Sequence, residues 1–366
     1  MAKIKRENIL LAAALTLLVA IVITISSYDG FSATSEKPKI GLIITGAKND
    51  DGWNGRHYQA LKSVCERFGL TLLVKENIAE NVGDCPQAVK ELVGEGAGMI
   101  ILSSFAYPME VADIVQDYPR TKFVGISAEH TAKNMTAYFA RLYQARYLSG
   151  IIAGKRTKSN VLGYVAAMPN AEVNRGINAF ALGAQSVNPQ VKVVVVWTNS
   201  WQDDYQETVG AHRLIKEAGA DVLTYHQNKK SVANVAESMG VDFIAYHETL
   251  SGYSPHYLTS VLCHWEIYYT EIVENFLKGS LNAEKINWLG IERNAVYLGS
   301  FSDRVTEDMR LKVEQTRQNM LDGFLIFSGE IYDNEGNLRS AADEALSDDI
   351  LLTQVDWLVK GVEVLD

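Results

Sequence analysis

Short apolar runs alternate with longer segments of helical periodicity from Lys37 to Tyr246. A short apolar run bounded by turn residues is typical of a buried strand, and apolar residues three and four positions apart are typical of a helix. In the first part of the chain, strands are predicted at Lys39–Thr45, Leu70–Lys75, Gly98–Ser103, Lys122–Ser127 and Met135–Phe139. Helices are predicted at Gly52–Phe68, Cys85–Val93, Met109–Gln116 and Leu142–Lys155. Repeated β-α-β units with short loops predict a parallel sheet that helices cover on both faces.

The same pattern starts again near residue 160, which indicates a second, similar lobe. Its strands are predicted at Val161–Ala166, Lys192–Thr198, Asp221–Tyr225 and Asp242–Tyr246, and its helices at Ala171–Ser186, Asp203–Ala218 and Ser231–Met239. Less regular segments follow, namely strands at Tyr257–Cys263 and Ala295–Ser300, helices at Trp265–Leu277 and Val305–Leu321, and an amphipathic segment at Ile350–Val364. We therefore expect an α/β fold of two Rossmann-like lobes, with parallel sheets joined by a multi-strand hinge.

The N-terminal segment has the pattern of an export signal. Basic residues between Lys3 and Arg6 precede an uncharged apolar run from Ile9 to Ile25. This run is long for the centre of a signal peptide and barely long enough to span a bilayer, so an uncleaved anchor helix is favoured over a cleaved signal. In either case, the positive-inside rule places the chain after about residue 35 outside the cytoplasm.

These patterns set the expected domain boundaries. Residues 1–36 are the signal or anchor segment. The first lobe comprises 37–157 with about 250–290, and the second comprises 158–249 with about 291–340. The tail, 341–366, is expected to pack on the lobes.

Composition narrows the function. With 366 residues the chain is long enough for about two domains, and a formal net charge of -10 without a basic cluster argues against nucleic-acid binding. Three widely spaced cysteines form neither a metal motif nor a disulfide framework. The motifs of nucleotide-binding loops, nucleophile elbows and zinc proteases are also missing from the sequence. We expect no catalytic residue, metal or cofactor, and therefore a binding protein.

The candidate ligand residues of the first lobe follow its strands. Ligands of open α/β sheets bind at the carboxyl ends of the strands, and the first strand here leads into Asn49-Asp-Asp-Gly-Trp-Asn54. One aspartate, Asp50, is expected to cap the following helix. Asp51, Trp53 and Asn54 are expected to face a ligand, which Trp53 would stack against. The first-lobe candidates are Asp51, Trp53, Asn54, Ser104, Phe105 and Tyr143.

The second lobe carries a matching set after its own strands. Trp197-Thr-Asn-Ser-Trp201 follows one strand, His226-Gln-Asn228 another and His247-Glu248 a third. Aromatic rings on opposite sides of a cleft can hold a planar ligand, while carboxylate and amide groups read its edge. The second-lobe candidates are Trp201, His226, Asn228, His247 and Glu248.

Several motifs together resemble the Bmp (basic membrane protein) family of bacterial solute-binding proteins. They are Asp51-Gly-Trp-Asn-Gly-Arg-His57, Ser103-Ser-Phe105, Ala140-Arg-Leu-Tyr-Gln-Ala-Arg-Tyr-Leu-Ser-Gly150, Leu162-Gly-Tyr-Val165, the segment from Glu172 to Pro189, and Trp197-Thr-Asn-Ser-Trp201. The resemblance implies a type I periplasmic-binding-protein fold and a partner ABC permease. It also implies a purine base or nucleoside as ligand, and the Trp53 and Trp201 pattern resembles the adenine-associated branch. Relatives often carry aspartate where this chain has Asn228 or Glu248, and many are lipoproteins, whereas no cysteine follows this hydrophobic run.

Three alternatives to a purine importer remain open from the sequence. The same fold could bind a sugar or another small solute, because tryptophan and aspartate or asparagine also suit sugars. An anchored receptor could instead signal to a membrane partner. A purine-cleaving enzyme is the third alternative. The expected location is the outer face of the bacterial cell membrane, or the periplasm or medium if the signal is cleaved.

Overall fold

The computed structural model describes residues 37–50, 52–81, 83–126, 131–281 and 286–366. The predicted anchor, 1–36, and the candidate Asp51 lie outside these ranges. Within them, none of the helices has the length and apolar character that a membrane span requires.

The first sheet is parallel throughout. Its strands are β1 (Lys39–Ile43), β2 (Thr71–Lys75), β3 (Ala97–Leu102), β4 (Lys122–Ile126), β5 (Met135–Ala140) and β11 (Ile286–Leu289). They pair in the order β11-β5-β4-β3-β1-β2. Central β1 lies between two neighbours and is almost entirely buried, which explains its continuous apolar run.

The second sheet repeats this plan and adds strands from the C-terminal part. It contains β6 (Val161–Ala166), β7 (Lys192–Trp197), β8 (Val222–His226), β9 (Asp242–Tyr246), β10 (Tyr257–Cys263), β12 (Val296–Leu298) and β15 (Val362–Val364). The order is β12-β10-β9-β8-β6-β7-β15, and β12 runs antiparallel to β10. A separate hairpin joins β13 (Ile331–Tyr332) to β14 (Leu338–Ser340).

Helices follow most strands and cover the sheets. They are α1 (Trp53–Phe68), α2 (Asp84–Gly94), α3 (Tyr107–Glu110), α4 (Leu142–Arg156), α5 (Ala171–Gln185), α6 (Asp204–Lys216), α7 (Ser231–Met239), α8 (Trp265–Leu277), α9 (Glu307–Leu321) and α10 (Asp348–Thr353). Short 3₁₀ turns lie at Val115–Asp117 and Ile291–Arg293. The chain passes between the sheets after β5, after β10 and after β11, which gives two lobes joined at several crossings.

Helices α4 and α5 approach each other until their backbones touch. A Cβ atom added to Gly150 would lie 2.1 Å from the carbonyl oxygen of Phe180, and one added to Gly183 would lie 2.1 Å from that of Tyr147. These distances are far below van der Waals contact, so glycine is required at both positions. The tight pair carries the chain from the first lobe into the second.

The predicted α/β architecture with two lobes is confirmed, but several local predictions are wrong. Instead of a helix over Met109–Gln116, the structure has α3 at Tyr107–Glu110, then turns and the 3₁₀ turn at Val115–Asp117. The amphipathic segment Ile350–Val364 divides into the end of α10 and strand β15. Strand β11 was not predicted, because four residues at a sheet edge carry almost no periodicity.

Strand β10 also differs from its predicted place. It pairs in parallel with β9 and belongs to the second sheet, whereas residues from about 250 to 290 were expected in the first lobe. Strand β11 does lie in the first sheet. Strand partners are chosen by tertiary packing, and the sequence pattern of one strand does not specify them. The other domain boundaries stay predictions.

Candidate functional site

A cavity lies where strand ends of the two sheets meet. Side chains of both lobes form its walls. Its lining residues are Trp53, Ser104, Phe105, Ile126 and Phe139 from the first lobe, and Glu172, Trp201, His226, Asn228 and Tyr246 from the second. Six of the eleven predicted site residues are therefore in this one cavity: Trp53, Ser104, Phe105, Trp201, His226 and Asn228.

Trp53 lies in the first turn of α1 and is fixed by its surroundings. Its indole Nε1 donates a hydrogen bond to the main-chain oxygen of Ser103, at 2.8 Å. The rings of His57, His247 and Trp265 lie 4.4, 5.0 and 5.3 Å from its ring, measured between centroids. A ring held by a hydrogen bond and by aromatic neighbours is preorganised to stack on a ligand.

The polar turn before Trp53 serves the protein itself. Asp50 Oδ1 accepts hydrogen bonds from the main-chain nitrogens of Gly52 (3.2 Å) and Gly55 (2.6 Å), which confirms its predicted role at the start of the helix. Its Oδ2 accepts from Asn54 Nδ2 at 2.8 Å, and Asn54 Oδ1 accepts from Thr45 at 3.1 Å. Asn54 is fully buried and does not line the cavity, because both ends of its amide hold the turn.

The turn after β3 is tied to a glutamate that the sequence analysis did not select. Ser104 Oγ donates to Glu80 Oε1 at 2.5 Å, and the main-chain nitrogen of Ala106 donates to the same oxygen at 3.0 Å. The other oxygen, Oε2, accepts a hydrogen bond from Trp201 Nε1 at 2.9 Å. Glu80 thus contacts residues that follow strands of both sheets.

A second missed glutamate faces the cavity from the second lobe. Glu172 lies in the first turn of α5, which Asn170 caps by accepting from the main-chain nitrogen of Val173 at 3.0 Å. Its side chain is 11% exposed, and Oε1 lies 3.6 Å from His226 Nε2. A carboxylate at a helix N-terminus is stabilised by the helix dipole. The cavity therefore offers a strong hydrogen-bond acceptor.

His226 contributes a neutral imidazole to the same wall. Its Nε2 lies 2.9 Å from the hydroxyl of Tyr246. Burial lowers the pKa of His226, and the nearby Glu172 carboxylate opposes this shift only in part. With Nε2 engaged by Tyr246, the nitrogen left for a ligand is Nδ1, which donates or accepts according to the tautomer of the neutral ring.

Four of the remaining candidates lie outside the cavity lining, and the fifth is Asp51, outside the described residues. Tyr143 accepts a hydrogen bond from Arg141 at 3.1 Å and packs on Trp288 in a separate cavity. His247 is buried beside Trp53 and supports its ring. Glu248 is also buried, and Asn54 holds the turn described above.

The missed lining residues share positions with the predicted ones. Glu172 stands in the first turn of the helix after β6, just as Trp53 stands in the first turn of the helix after β1. Tyr246 ends β9, immediately before the predicted His247. Comparing equivalent positions in the two lobes would have identified Glu172. By contrast, Ile126 and Phe139 look like ordinary core residues in the sequence.

The arrangement suits a planar solute with polar edges. Aromatic rings from both lobes supply flat apolar surfaces, and Glu172, His226, Ser104 and Asn228 supply the hydrogen-bonding groups. Among the residues that the structure describes, no cluster of histidine, cysteine or acidic side chains could hold a metal ion. The aromatic and polar lining suits binding by stacking and hydrogen bonds.

Comparisons with known proteins agree with this fold and show its family. The model of the Bmp family, PnrA-like substrate-binding proteins of ABC transporters, matches residues 37–335. The chain is similar to a purine-binding protein of Brucella abortus, with 32% identity over 349 residues, 94% of this chain and 98% of the relative. It is also similar to a Haloferax volcanii protein whose name describes an ABC transporter glucose-binding protein, with 31% identity over 317 residues, 86% of this chain and 77% of the relative.

The fold also has a counterpart among solved structures. An ABC transporter solute-binding protein from Aeropyrum pernix superposes with a TM-score of 0.69 and 16% identity, covering 78% of this chain and 92% of its own. At this level of identity the likeness concerns the fold alone.

Proposed function

Because this chain belongs to the Bmp family of ABC transporter substrate-binding proteins, we propose that it binds a purine base or purine nucleoside in the cavity between its two lobes. Members of this family bind a solute outside the cytoplasm and work with an ABC permease. The chain is accordingly a substrate-binding protein and not an enzyme. What it carries and how it is held at the membrane belong to the proposal.

The observation that carries the proposal is the aromatic lining contributed by both lobes. Trp53 and Phe105 come from the first lobe, and Trp201 and Tyr246 come from the second. A purine ring presents two flat faces, and each aromatic contact contributes about 0.5–1.5 kcal/mol beyond simple burial. Closure of two lobes around such a ring would bury both faces and exclude water.

The polar groups of the cavity support a nitrogen-rich ligand edge. The Glu172 carboxylate accepts hydrogen bonds only, so it suits the amino or ring N–H groups of a purine. Nδ1 of the neutral His226 can donate or accept according to the tautomer, and the amide of Asn228 has both a donor and an acceptor. We propose these three residues, with Trp53, Ser104, Phe105 and Trp201, as the ligand contacts. Asp51 stands two residues before Trp53 in the sequence and stays a candidate.

The two similar proteins support different ligands. The Brucella relative is a purine-binding protein and covers nearly the whole chain. The Haloferax relative is named for glucose at almost the same identity, and tryptophan stacks on sugars as well. A sugar is therefore the second candidate.

The membrane arrangement is proposed from the sequence. We propose that the apolar run from Ile9 to Ile25 anchors the receptor, with the two lobes on the outer face of the cell membrane. A receptor held there can deliver its ligand to a permease. A sensing role with a membrane signalling partner is the alternative for the same anchored receptor.

Calorimetric titration of the full chain, purified in mild detergent, tests the ligand. Adenine, hypoxanthine, adenosine and guanosine are the purine probes, and glucose and ribose are the sugar probes. Saturable binding of one purine, with no heat from the sugars, supports the proposal. Binding of a sugar and of none of the purines overturns it. Mass spectrometry of small molecules released by denaturation gives an independent answer.

A further inference from the structure

The carboxylate of Glu80 joins the two walls of the cavity. Glu80 lies in the loop between β2 and α2 and is half-buried. Its Oε1 accepts hydrogen bonds from Ser104 Oγ at 2.5 Å and from the main-chain nitrogen of Ala106 at 3.0 Å. Its Oε2 accepts from Trp201 Nε1 at 2.9 Å.

The two oxygens have different tasks. Glu80, Ser104 and Ala106 all follow strands of the first sheet, so the bonds to Oε1 stay within one lobe. Trp201 follows β7 of the second sheet, so the bond to Oε2 crosses the cleft. Of the bonds that Glu80 makes, only the one to Trp201 breaks when the lobes separate. The carboxylate is thereby held ready on the first lobe for Trp201 to meet it on closure.

Glu80 accepts hydrogen bonds from the side chains of two cavity-lining residues, Ser104 and Trp201. We infer that Glu80 is a positioning residue: its carboxylate holds the indole of Trp201 in the cavity wall when the lobes close, and this raises the affinity for the ligand. A hydrogen bond to a carboxylate is stronger than one between neutral groups. Because Ser104 and Ala106 already hold the carboxylate before closure, its bond to Trp201 costs little further entropy. The inference holds whatever solute the cavity accepts.

The other bonds across the cleft do not share this property. Arg56 Nε donates to the main-chain oxygen of His247 at 3.1 Å, and its Nη2 donates to Thr249 Oγ1 at 2.9 Å. None of these three residues lines the cavity. The bonds of Arg56 can favour closure. Unlike Arg56, Glu80 bonds directly to residues that line the cavity.

Replacement of Glu80 by glutamine removes one of its two acceptors. The single amide oxygen of Glu80→Gln cannot accept from both Ala106 and Trp201. The NH₂ group of the new side chain would then face one of these two N–H donors, and no hydrogen bond can form there. Glu76 directly follows β2 in the same lobe and pairs with Lys48 at 2.8 Å, so these bonds stay within the first lobe. Glu76→Gln is therefore the matched control.

The first measurement observes the indole directly, in the protein alone and with each purine probe added, because the bond between Trp201 and Glu80 forms when the lobes close. In full chain labelled with ¹⁵N-tryptophan, the Trp201 indole N–H resonance is the one missing from Trp201→Phe. We expect Glu80→Gln to move this resonance upfield and to leave the other tryptophan resonances in place, as they are in Glu76→Gln. A Trp201 resonance that Glu80→Gln leaves unshifted both without and with the probes would overturn the inference.

The second measurement tests the effect on affinity, with adenine and adenosine as probes. We expect Glu80→Gln to weaken binding by roughly tenfold, which corresponds to about 1.4 kcal/mol. In the Trp201→Phe background, the same change should alter affinity by less than about twofold, because the indole N–H is already gone. An equal loss in both backgrounds would show that Glu80 only supports its own loop. If neither purine binds wild type, the proposed ligand is wrong and the resonance still decides the role of Glu80.

Discussion

The indole Nε1 of Trp53 is hydrogen-bonded to the main-chain oxygen of Ser103 at 2.8 Å. This bond ties the first turn of α1 to the residue that follows β3. Trp53 comes directly after the turn that follows the first strand, and Ser103 directly precedes the cavity residue Ser104. Two adjacent strands of the sheet thus hold one ring against the cavity, and the ring's position depends on both.

Removal of the Trp53 ring is expected to weaken ligand binding strongly. Trp53→Ala removes one stacking surface together with its buried apolar area, so we expect at least about a tenfold loss of affinity. Trp53→Phe keeps a ring but loses the bond to Ser103, and its effect should be intermediate. Calorimetric titration of both variants, with the purine that wild type binds, measures the loss of affinity. Trp197→Ala, a tryptophan outside the cavity lining, is the control, and an equal loss in that variant would contradict the assignment.

Neutralisation of Glu172 is expected to lower affinity without unfolding the protein. Hydrogen bonds to charged groups contribute about 1.5–3 kcal/mol, so Glu172→Gln should weaken purine binding by roughly 10- to 100-fold. Because the carboxylate raises the pKa of His226 against the effect of burial, the variant should also lower that pKa further. Titration of ligand affinity and NMR of the imidazole measure the two effects. Glu217→Gln changes an exposed residue directly after α6 and should leave the ligand affinity and the pKa of His226 unchanged.

Buried histidines are expected to destabilise the fold in acid. Burial lowers the pKa of His57 from 6.5 to about 3. Between about pH 6.5 and pH 3, His57 is therefore protonated in the unfolded chain and neutral in the folded chain. Stability is then lost as the pH falls from about 6.5 to about 3, by about 1.4 kcal/mol per pH unit. Burial lowers the pKa values of His226 and His247 as well, which adds to the same trend.

Replacement of His57 isolates its share of this acid sensitivity. His57→Phe keeps a ring beside Trp265, 4.3 Å away between centroids, and removes the titrating group. Between pH 6.5 and pH 4, we expect the slope of unfolding free energy against pH to fall by about 1.4 kcal/mol per pH unit, which corresponds to one proton. Urea unfolding at several pH values measures the slope. A slope equal to that of wild type would show that His57 is protonated in the folded state.

Helix packing predicts a large effect from one methyl group. Gly183→Ala would place a Cβ atom 2.1 Å from the main-chain oxygen of Tyr147, so α4 and α5 would have to separate. Overpacking of this kind costs about 1–3 kcal/mol, which a thermal melt detects. Gly94→Ala is the matched control because no atom lies within 4 Å of its added Cβ. That variant should keep or slightly raise the melting temperature, and equal losses in both would contradict the packing argument.

The pattern of the sequence was sufficient for the regular parts of the fold. Central strands such as β1 and β6 are continuous apolar runs because parallel strands are covered on both faces. Turn residues and helical periodicity then set the β-α-β order and the restart near residue 160. At the site, Trp53, Trp201 and Asp50 could be predicted since each stands at a strand end in a conspicuous polar turn.

Other features have no local signal. The partner of β10 and the existence of β11 depend on which strand edge is free when the lobes assemble. The amide of Asn54 looked available to a ligand until the structure placed it between Asp50 and Thr45. Glu80 was an ordinary loop residue until the two walls closed around its carboxylate.

The sequence by itself determined that two similar α/β lobes would present aromatic and polar residues at their strand ends. Local periodicity and turn chemistry decide such features, because they act over a few residues. Only the tertiary structure decided which of those residues share a cavity and which hold each other in place. That choice depends on hydrogen bonds and packing between segments far apart in the chain, such as Glu80 with Trp201, and no pattern within either segment encodes the distance between them.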